Sequence, residues 1–144
     1  MGDLLIKKAL GCRGRIVKIR GALPVRPEEI LADERTEAFI SFQMFLLIQD
    51  LVDLAAHLVS ARSLGLPTSQ RETFDLLAHA GVISPETTKA MGAMASLRNR
   101  IAHSYGELDP VRLAREAPSG LAQATRFLDE ITTAIETTGS GSGR

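Results

Sequence analysis

One short segment of the sequence brings together the side-chain types that cleavage of a phosphodiester requires. Arg98, Asn99, Arg100, His103 and Tyr105 lie within eight consecutive residues. An imidazole can both accept and donate a proton near neutral pH. A guanidinium binds phosphate oxygens in a bidentate manner and stabilises the charge that builds on them. Because RNA carries its own nucleophile, the 2′-hydroxyl, this set of residues favours metal-independent RNA cleavage.

Helical geometry restricts which of these side chains can act together. Asn99 and His103 are four residues apart and share one face, while Arg98 and Tyr105 are seven apart and share another. Arg98 and His103 point about 140° apart on a regular helix. Either the helix unwinds near His103, or a two-fold homodimer brings Arg98 of one chain towards His103 of the other. The residues alone leave both alternatives open.

The apolar periodicity predicts an all-α, up-and-down bundle of about five helices. No alternating β-branched run and no Asn-Gly or Asp-Gly hairpin signal occurs. A first helix is expected over residues 4–20. A second is expected from the acidic residues that begin at Glu28 to about Ala61, and its almost continuous apolar character predicts a central helix buried on all sides.

The second half of the sequence shows clear helix boundaries. Ser69 and Glu72 have capping-box spacing and start a short helix, and Ser84 caps the next. Asp109 caps a further element, which the sequence Pro118-Ser119-Gly120 is expected to divide before a final helix that ends near Glu136. We therefore expect one domain over residues 1–136 and a flexible Gly/Ser tail over residues 137–144.

Composition excludes several classes of protein. The chain has 144 residues and a formal net charge of zero, which excludes a polycation that coats nucleic acid along its whole length. The single cysteine, Cys12, excludes an internal disulfide framework. No targeting segment is seen, and polar residues interrupt the longest apolar stretch, residues 39–59. We expect a cytoplasmic protein with no membrane association.

Helix two also carries a polar stripe formed by Gln43, Asp50, Asp53 and His57. Polar groups on so apolar a helix need partners, so Asp53 is expected either to orient His57 or to form a salt bridge with Arg98. These residues fit an internal hydrogen-bond network better than a metal site. No metal and no cofactor is predicted, and Asp53 and Asn99 are predicted to support the site.

The segment from Arg98 to Tyr105 resembles the Arg-x4-His-x-Tyr signature of HepT-type toxins in the HEPN superfamily. The flanking sequence is similar in order and spacing. It comprises residues 49–57 in the central helix, Leu66-Pro67 and residues 72–77 after it, and Gly81-Val82-Ile83 at the next junction. The similarity covers roughly residues 35–135. Residues 1–30 depart from the family's pattern.

This resemblance implies an all-α homodimer that acts as a ribonuclease toxin of a type VII toxin-antitoxin system. It implies that Arg98 and His103 are catalytic, and that the partner is a minimal nucleotidyltransferase antitoxin. In similar systems the antitoxin attaches AMP to the tyrosine of the motif, here Tyr105, which adds negative charge and bulk.

Two other functions fit the same residues. The first is a non-enzymatic helical module that binds a nucleotide or the nucleotidyltransferase, with the Arg-His cluster only gripping phosphate. The second is a structural, antitoxin-type partner in which basic residues merely complement the dipole at a helix C-terminus. RNA turnover distinguishes the enzyme from both.

Overall fold

The computed structural model describes residues 2–103 and 109–142, with side chains through Thr137. These residues form five α-helices, a short 3-10 helix at Pro27–Ala32, and no strand. The α-helices are α1 (Gly2–Ala22), α2 (Glu34–Ala61), α3 (Gln70–His79), α4 (Pro85–His103) and α5 (Pro110–Ser142). The all-α class predicted from the sequence is confirmed.

Helix α2 is the centre of the bundle and contacts all four other helices. Ten of its residues are buried. Among the described helices, α2 alone has the length and hydropathy of a membrane span. The core helix of a soluble protein passes the same test, and 44% of the most apolar window of α2 is buried in the bundle. The expectation that α2 is buried on every side is wrong, because Phe39 and Phe42 are 39% and 57% exposed. One apolar flank of the helix therefore faces solvent.

Helix α2 also begins later than the acidic residues at Glu28 suggested. Pro27 starts the 3-10 helix, and Asp33 then adopts an extended conformation before α2. The Asp33 carboxylate accepts hydrogen bonds from the Thr36 hydroxyl (2.8 Å) and the Arg35 backbone N–H (3.0 Å). These bonds, that of Thr36 first, lower the pKa of the Asp33 carboxyl. The true cap is thus an aspartate that satisfies the first turn of α2.

The predicted division at Pro118-Ser119-Gly120 is wrong, because α5 runs through it without interruption. Pro118 lies on the exposed side of the helix, whereas Ala117 and Leu121 beside it are buried in the core. Burial on both sides of the proline outweighs the one hydrogen bond that its missing N–H removes. The domain boundary expected at residue 136 lies within this helix.

The cap of α3 differs in one detail from the capping box. The Ser69 hydroxyl accepts from the Glu72 backbone N–H at 3.1 Å, as predicted. The Glu72 carboxylate does not reach back to the Ser69 backbone and instead accepts from the Thr68 hydroxyl at 2.6 Å. The start of α3 is therefore held by a threonine in the preceding loop.

The start of α4 is fixed against α5. The Ser84 hydroxyl accepts from the Thr87 backbone N–H at 3.1 Å, which confirms Ser84 as the cap. The Glu130 carboxylate of α5 accepts from the Ser84 backbone N–H (2.9 Å) and from the Thr87 hydroxyl (2.5 Å). This contact sets the position of α4, the helix that carries the Arg-His motif.

Candidate functional site

Arg98 is held between α4 and α2 by contacts on three sides. Its Nη2 donates to Oε1 of Gln49 at 2.8 Å, and its Nη1 donates to Oδ1 of Asn99 at 3.3 Å. Its guanidinium carbon lies 5.0 Å from the centre of the Phe45 ring, within the range of a cation–π contact. The guanidinium is therefore fixed in place before any ligand binds.

The positive charge of Arg98 has no carboxylate partner in the part of the chain that the structure describes. The salt bridge expected between Arg98 and Asp53 is not formed. Instead, Oδ1 of Asp53 accepts from Nε2 of Gln49 at 3.4 Å, so Asp53 acts on Arg98 only through this amide. Nε of Arg98 is buried and has no hydrogen-bond partner among the described residues. The arrangement leaves a positioned cation free to bind an anion.

The polar stripe of α2 divides between two neighbouring helices. Gln43 and Asp50 face α1, where Nη1 of Arg15 donates to Gln43 at 2.6 Å and Nε of Arg15 lies 3.5 Å from the Asp50 carboxylate. Asp53 lies on the flank that faces α4. His57 is exposed, and no hydrogen bond joins it to Asp53 within residues 2–103 and 109–137. The two aspartates therefore have separate partners, Arg15 for Asp50 and Gln49 for Asp53, and the predicted network that joins both to His57 is not formed among the described residues.

No group of three His, Cys, Asp or Glu side chains among the described residues could hold a metal ion. Cys12 is buried, and burial, with a further contribution from Asp50, raises the pKa of its thiol to about 12. The thiol stays protonated near neutral pH, and a protonated thiol is a poor nucleophile and metal ligand. Cys12 is therefore part of the core.

His103 is the last residue of α4 and is exposed, as is Asn99 one turn earlier. Since α4 remains an α-helix through His103, the unwinding considered above does not occur before that residue. Within one chain Arg98 and His103 thus point about 140° apart. Asn99, predicted to support the site, accepts a hydrogen bond from Arg98, and none joins it to His103 among the described residues. Tyr105 lies outside the described residues.

Two side chains that contact Arg98, those of Gln49 and Phe45, were not among the predicted site residues. Gln49 precedes Asp53 by four residues, which places both on one flank of α2. A polar residue at that spacing on an apolar helix is a signal that sequence reasoning could have used. Phe45 carries no such signal, because its contact with Arg98 depends on how α2 and α4 pack.

Comparison with known families decides the classification. The sequence model of the ribonuclease HepT-like family matches residues 13–131. The chain belongs to this family. The match begins within α1 and so extends further towards the N-terminus than the resemblance over residues 35–135, and it includes the whole Arg-His-Tyr motif of this HepT-like protein.

Two relatives of the HepT-like chain carry functional names. This chain is 31% identical over 80 residues to the mRNA nuclease HepT of Shewanella oneidensis, and the alignment covers 56% of this chain and 60% of the relative. It is 27% identical over 86 residues to the tRNA nuclease HepT of Aphanizomenon flos-aquae, covering 60% and 58%. The chain thus spans about three fifths of the length of each relative.

Solved structures confirm the HepT-like fold. A tri-AMPylated HEPN toxin of Shewanella oneidensis, solved in complex with an MNT antitoxin, superimposes with a TM-score of 0.84 at 24% identity, covering 92% of this chain and 99% of that chain. YutE, a cytosolic protein of unknown function from Bacillus subtilis, gives a TM-score of 0.82 at 15% identity, with coverages of 94% and 91%. At these identities the likeness establishes the fold.

Proposed function

We propose that this HepT-like protein is the toxin of a type VII toxin-antitoxin system and acts as a metal-independent endoribonuclease. The observation that carries the proposal is Arg98, a guanidinium positioned by Gln49 and Phe45 and left without a carboxylate partner in the described residues. Membership of the ribonuclease HepT-like family and relatives named as mRNA and tRNA nucleases support it. Because its proposed substrate is RNA, we propose that the protein acts in the cytoplasm.

Arg98 and His103 have complementary roles in the proposed reaction. His103 accepts the proton of the RNA 2′-hydroxyl, and the 2′-oxygen attacks the adjacent phosphorus. Arg98 binds the non-bridging oxygens and stabilises the negative charge that develops on them. The bond from phosphorus to the 5′-oxygen breaks, that oxygen takes up a proton from water, and His103 returns the proton it accepted to solvent. The products are a 2′,3′-cyclic phosphate and a 5′-hydroxyl.

The proposed active site requires a homodimer, because Arg98 and His103 of one chain point in different directions. The flank of α2 beside Arg98 carries Phe42, Leu46, Gln49 and Asp53 at helical spacing, and Phe42 is 57% exposed. An exposed apolar surface next to Arg98 supports docking of a second copy there. A two-fold axis at this position would bring Arg98 of one chain towards His103 of its partner.

Cleavage of RNA in the presence of a chelator tests this function. We expect purified protein to cleave RNA in excess EDTA and to leave 2′,3′-cyclic phosphate ends, because the 2′-hydroxyl, imidazole and guanidinium supply all the reacting groups. The measurement is mass spectrometry of the RNA fragments. Binding of AMP or ATP with no RNA turnover would contradict the proposal and favour the non-enzymatic nucleotide-binding module.

We further propose that a minimal nucleotidyltransferase antitoxin neutralises the protein by attaching AMP to Tyr105. Tyr105 follows His103 by two residues, so an adenylyl group there would add negative charge and bulk beside the proposed catalytic imidazole. The solved relative from Shewanella oneidensis is described as a tri-AMPylated HEPN toxin in complex with its MNT antitoxin. A nucleotide attached at this position would compete with the RNA phosphate for Arg98.

Co-expression with a neighbouring nucleotidyltransferase tests the antitoxin proposal. We expect intact-protein mass spectrometry to show a gain of one or more adenylyl groups on the wild-type chain, together with loss of RNA cleavage. The matched variant Tyr105→Phe removes the acceptor hydroxyl and retains the ring. A wild-type chain with no adduct, or an adduct that persists at the same stoichiometry in Tyr105→Phe, would contradict modification at Tyr105.

A further inference from the structure

An open groove lies between α3 and α4, away from the flank of α2 that holds Arg98. Its volume is about 540 Å³, and it is lined mainly by Arg71, Asp75, His79, Thr88, Lys89 and Gly92. A second recess of about 230 Å³ shares Arg71 and Gly92 with the first and continues to Ser96 and Asn99. The two recesses are neighbours along α4, with Arg71 and Gly92 between them, and together they are called the α3–α4 groove below.

This α3–α4 groove leads to the face of α4 that carries His103. Gly92, Ser96, Asn99 and His103 follow one another at intervals of four, three and four residues, which places them on one side of the helix. From Lys89 to His103 the helix rises about 21 Å. That length accommodates several nucleotides of a single strand.

The groove has an excess of positive charge. Arg71 and Lys89 are exposed, and neither forms an ion pair or side-chain hydrogen bond with any residue of the described ranges. Asp75 is the one carboxylate that lines the two recesses, and His79 adds a further basic group. Two unpaired cations at separate positions along a groove match the repeating charge of a nucleic-acid backbone.

The guanidinium of Arg71 lies close to Gly92 of α4. A Cβ atom added at Gly92 would come within 3.4 Å of Nη2 and 3.6 Å of Nε of Arg71. The guanidinium therefore lies directly over the glycine, at the point where the two recesses meet.

We propose that this groove binds the RNA backbone beside the scissile linkage, with Arg71 and Lys89 each contacting a phosphate. The proposal rests on the ribonuclease function and adds the path by which the substrate reaches His103. Phosphate contacts of this kind position the strand without reading its sequence. Arg71 and Lys89 are thus positioning residues, and they should affect binding of long RNA more than the chemical step.

RNA binding by the double variant Arg71→Gln/Lys89→Gln tests the groove. The measurement uses fluorescence anisotropy with a single-stranded RNA in a His103→Ala background, which prevents cleavage. We expect the Kd at low salt to rise about tenfold and the slope of log K against log salt to become shallower by about 1.4, since each phosphate contact contributes about 0.7 for single strands. Lys7→Gln/Lys18→Gln is the matched control, because it removes two exposed cations from α1.

The outcomes separate the groove from the ribonuclease function. The groove proposal would be overturned if the groove variant had the same Kd and salt slope as the His103→Ala protein, or if the α1 control lost as much RNA affinity. Binding of the antitoxin in the groove, with RNA binding unchanged, would also overturn it. Cleavage is then measured without the His103 substitution, on long RNA and on a dinucleotide that spans only the scissile linkage. A loss confined to long RNA supports the groove. No cleavage by the wild-type chain would overturn the ribonuclease function, while the binding comparison would still test the groove.

Discussion

Replacing His103 with alanine should lower the rate of RNA cleavage by about 10²–10⁴-fold, the usual contribution of a positioned general base. The imidazole is exposed at the end of α4 and forms no side-chain hydrogen bond with other described residues. Its removal should therefore leave the helix and the core intact. The rate is measured with a labelled RNA under single-turnover conditions, so that the chemical step is observed.

His57→Ala is a matched control for this variant. His57 is another exposed histidine, on α2, and it has no place in the proposed reaction. We expect His57→Ala to cleave RNA at the wild-type rate. We also expect thermal unfolding, followed by circular dichroism, to give the wild-type melting temperature for both variants. Wild-type cleavage by His103→Ala would rule out this imidazole as the base.

Much of the fold could be predicted from the sequence because helix boundaries depend on local chemistry. Ser69 and Ser84 cap helices where their spacing indicated. Two predictions were wrong because the packing of the helices overrode a local signal. A proline inside a helix usually breaks it, but buried residues on either side of Pro118 keep α5 continuous. Phe42 suggested a core position, yet it faces solvent on a flank that the proposed dimer would cover.

The site was predicted less completely, because its contacts join residues that are far apart in the sequence. The motif indicated Arg98, and the polar stripe indicated Asp53, but the hydrogen bond of Arg98 goes to Gln49. Which of two neighbouring polar residues meets the guanidinium depends on the packing of α2 against α4. The packing of the helices, which no local pattern fixes, also determines the α3–α4 groove.

Arg98→Gln should also reduce cleavage strongly, by about 10²–10³-fold, because it removes the positive charge that stabilises the developing phosphorane. The substitution keeps a polar side chain beside Gln49, which limits the effect on packing. On its own this loss does not show whether Arg98 acts with the histidine of its own chain or with that of a partner. We propose the second arrangement, since α4 points the two side chains about 140° apart.

Mixing the two inactive variants, Arg98→Gln and His103→Ala, is the most direct test of this arrangement. After denaturation and refolding together in equal amounts, about half of the dimers are mixed, and each contains one site with an intact arginine and an intact histidine. We expect recovery of about one quarter of the wild-type cleavage rate. Formation of mixed dimers, shown by differently tagged chains, with no recovery of cleavage would contradict the shared active site.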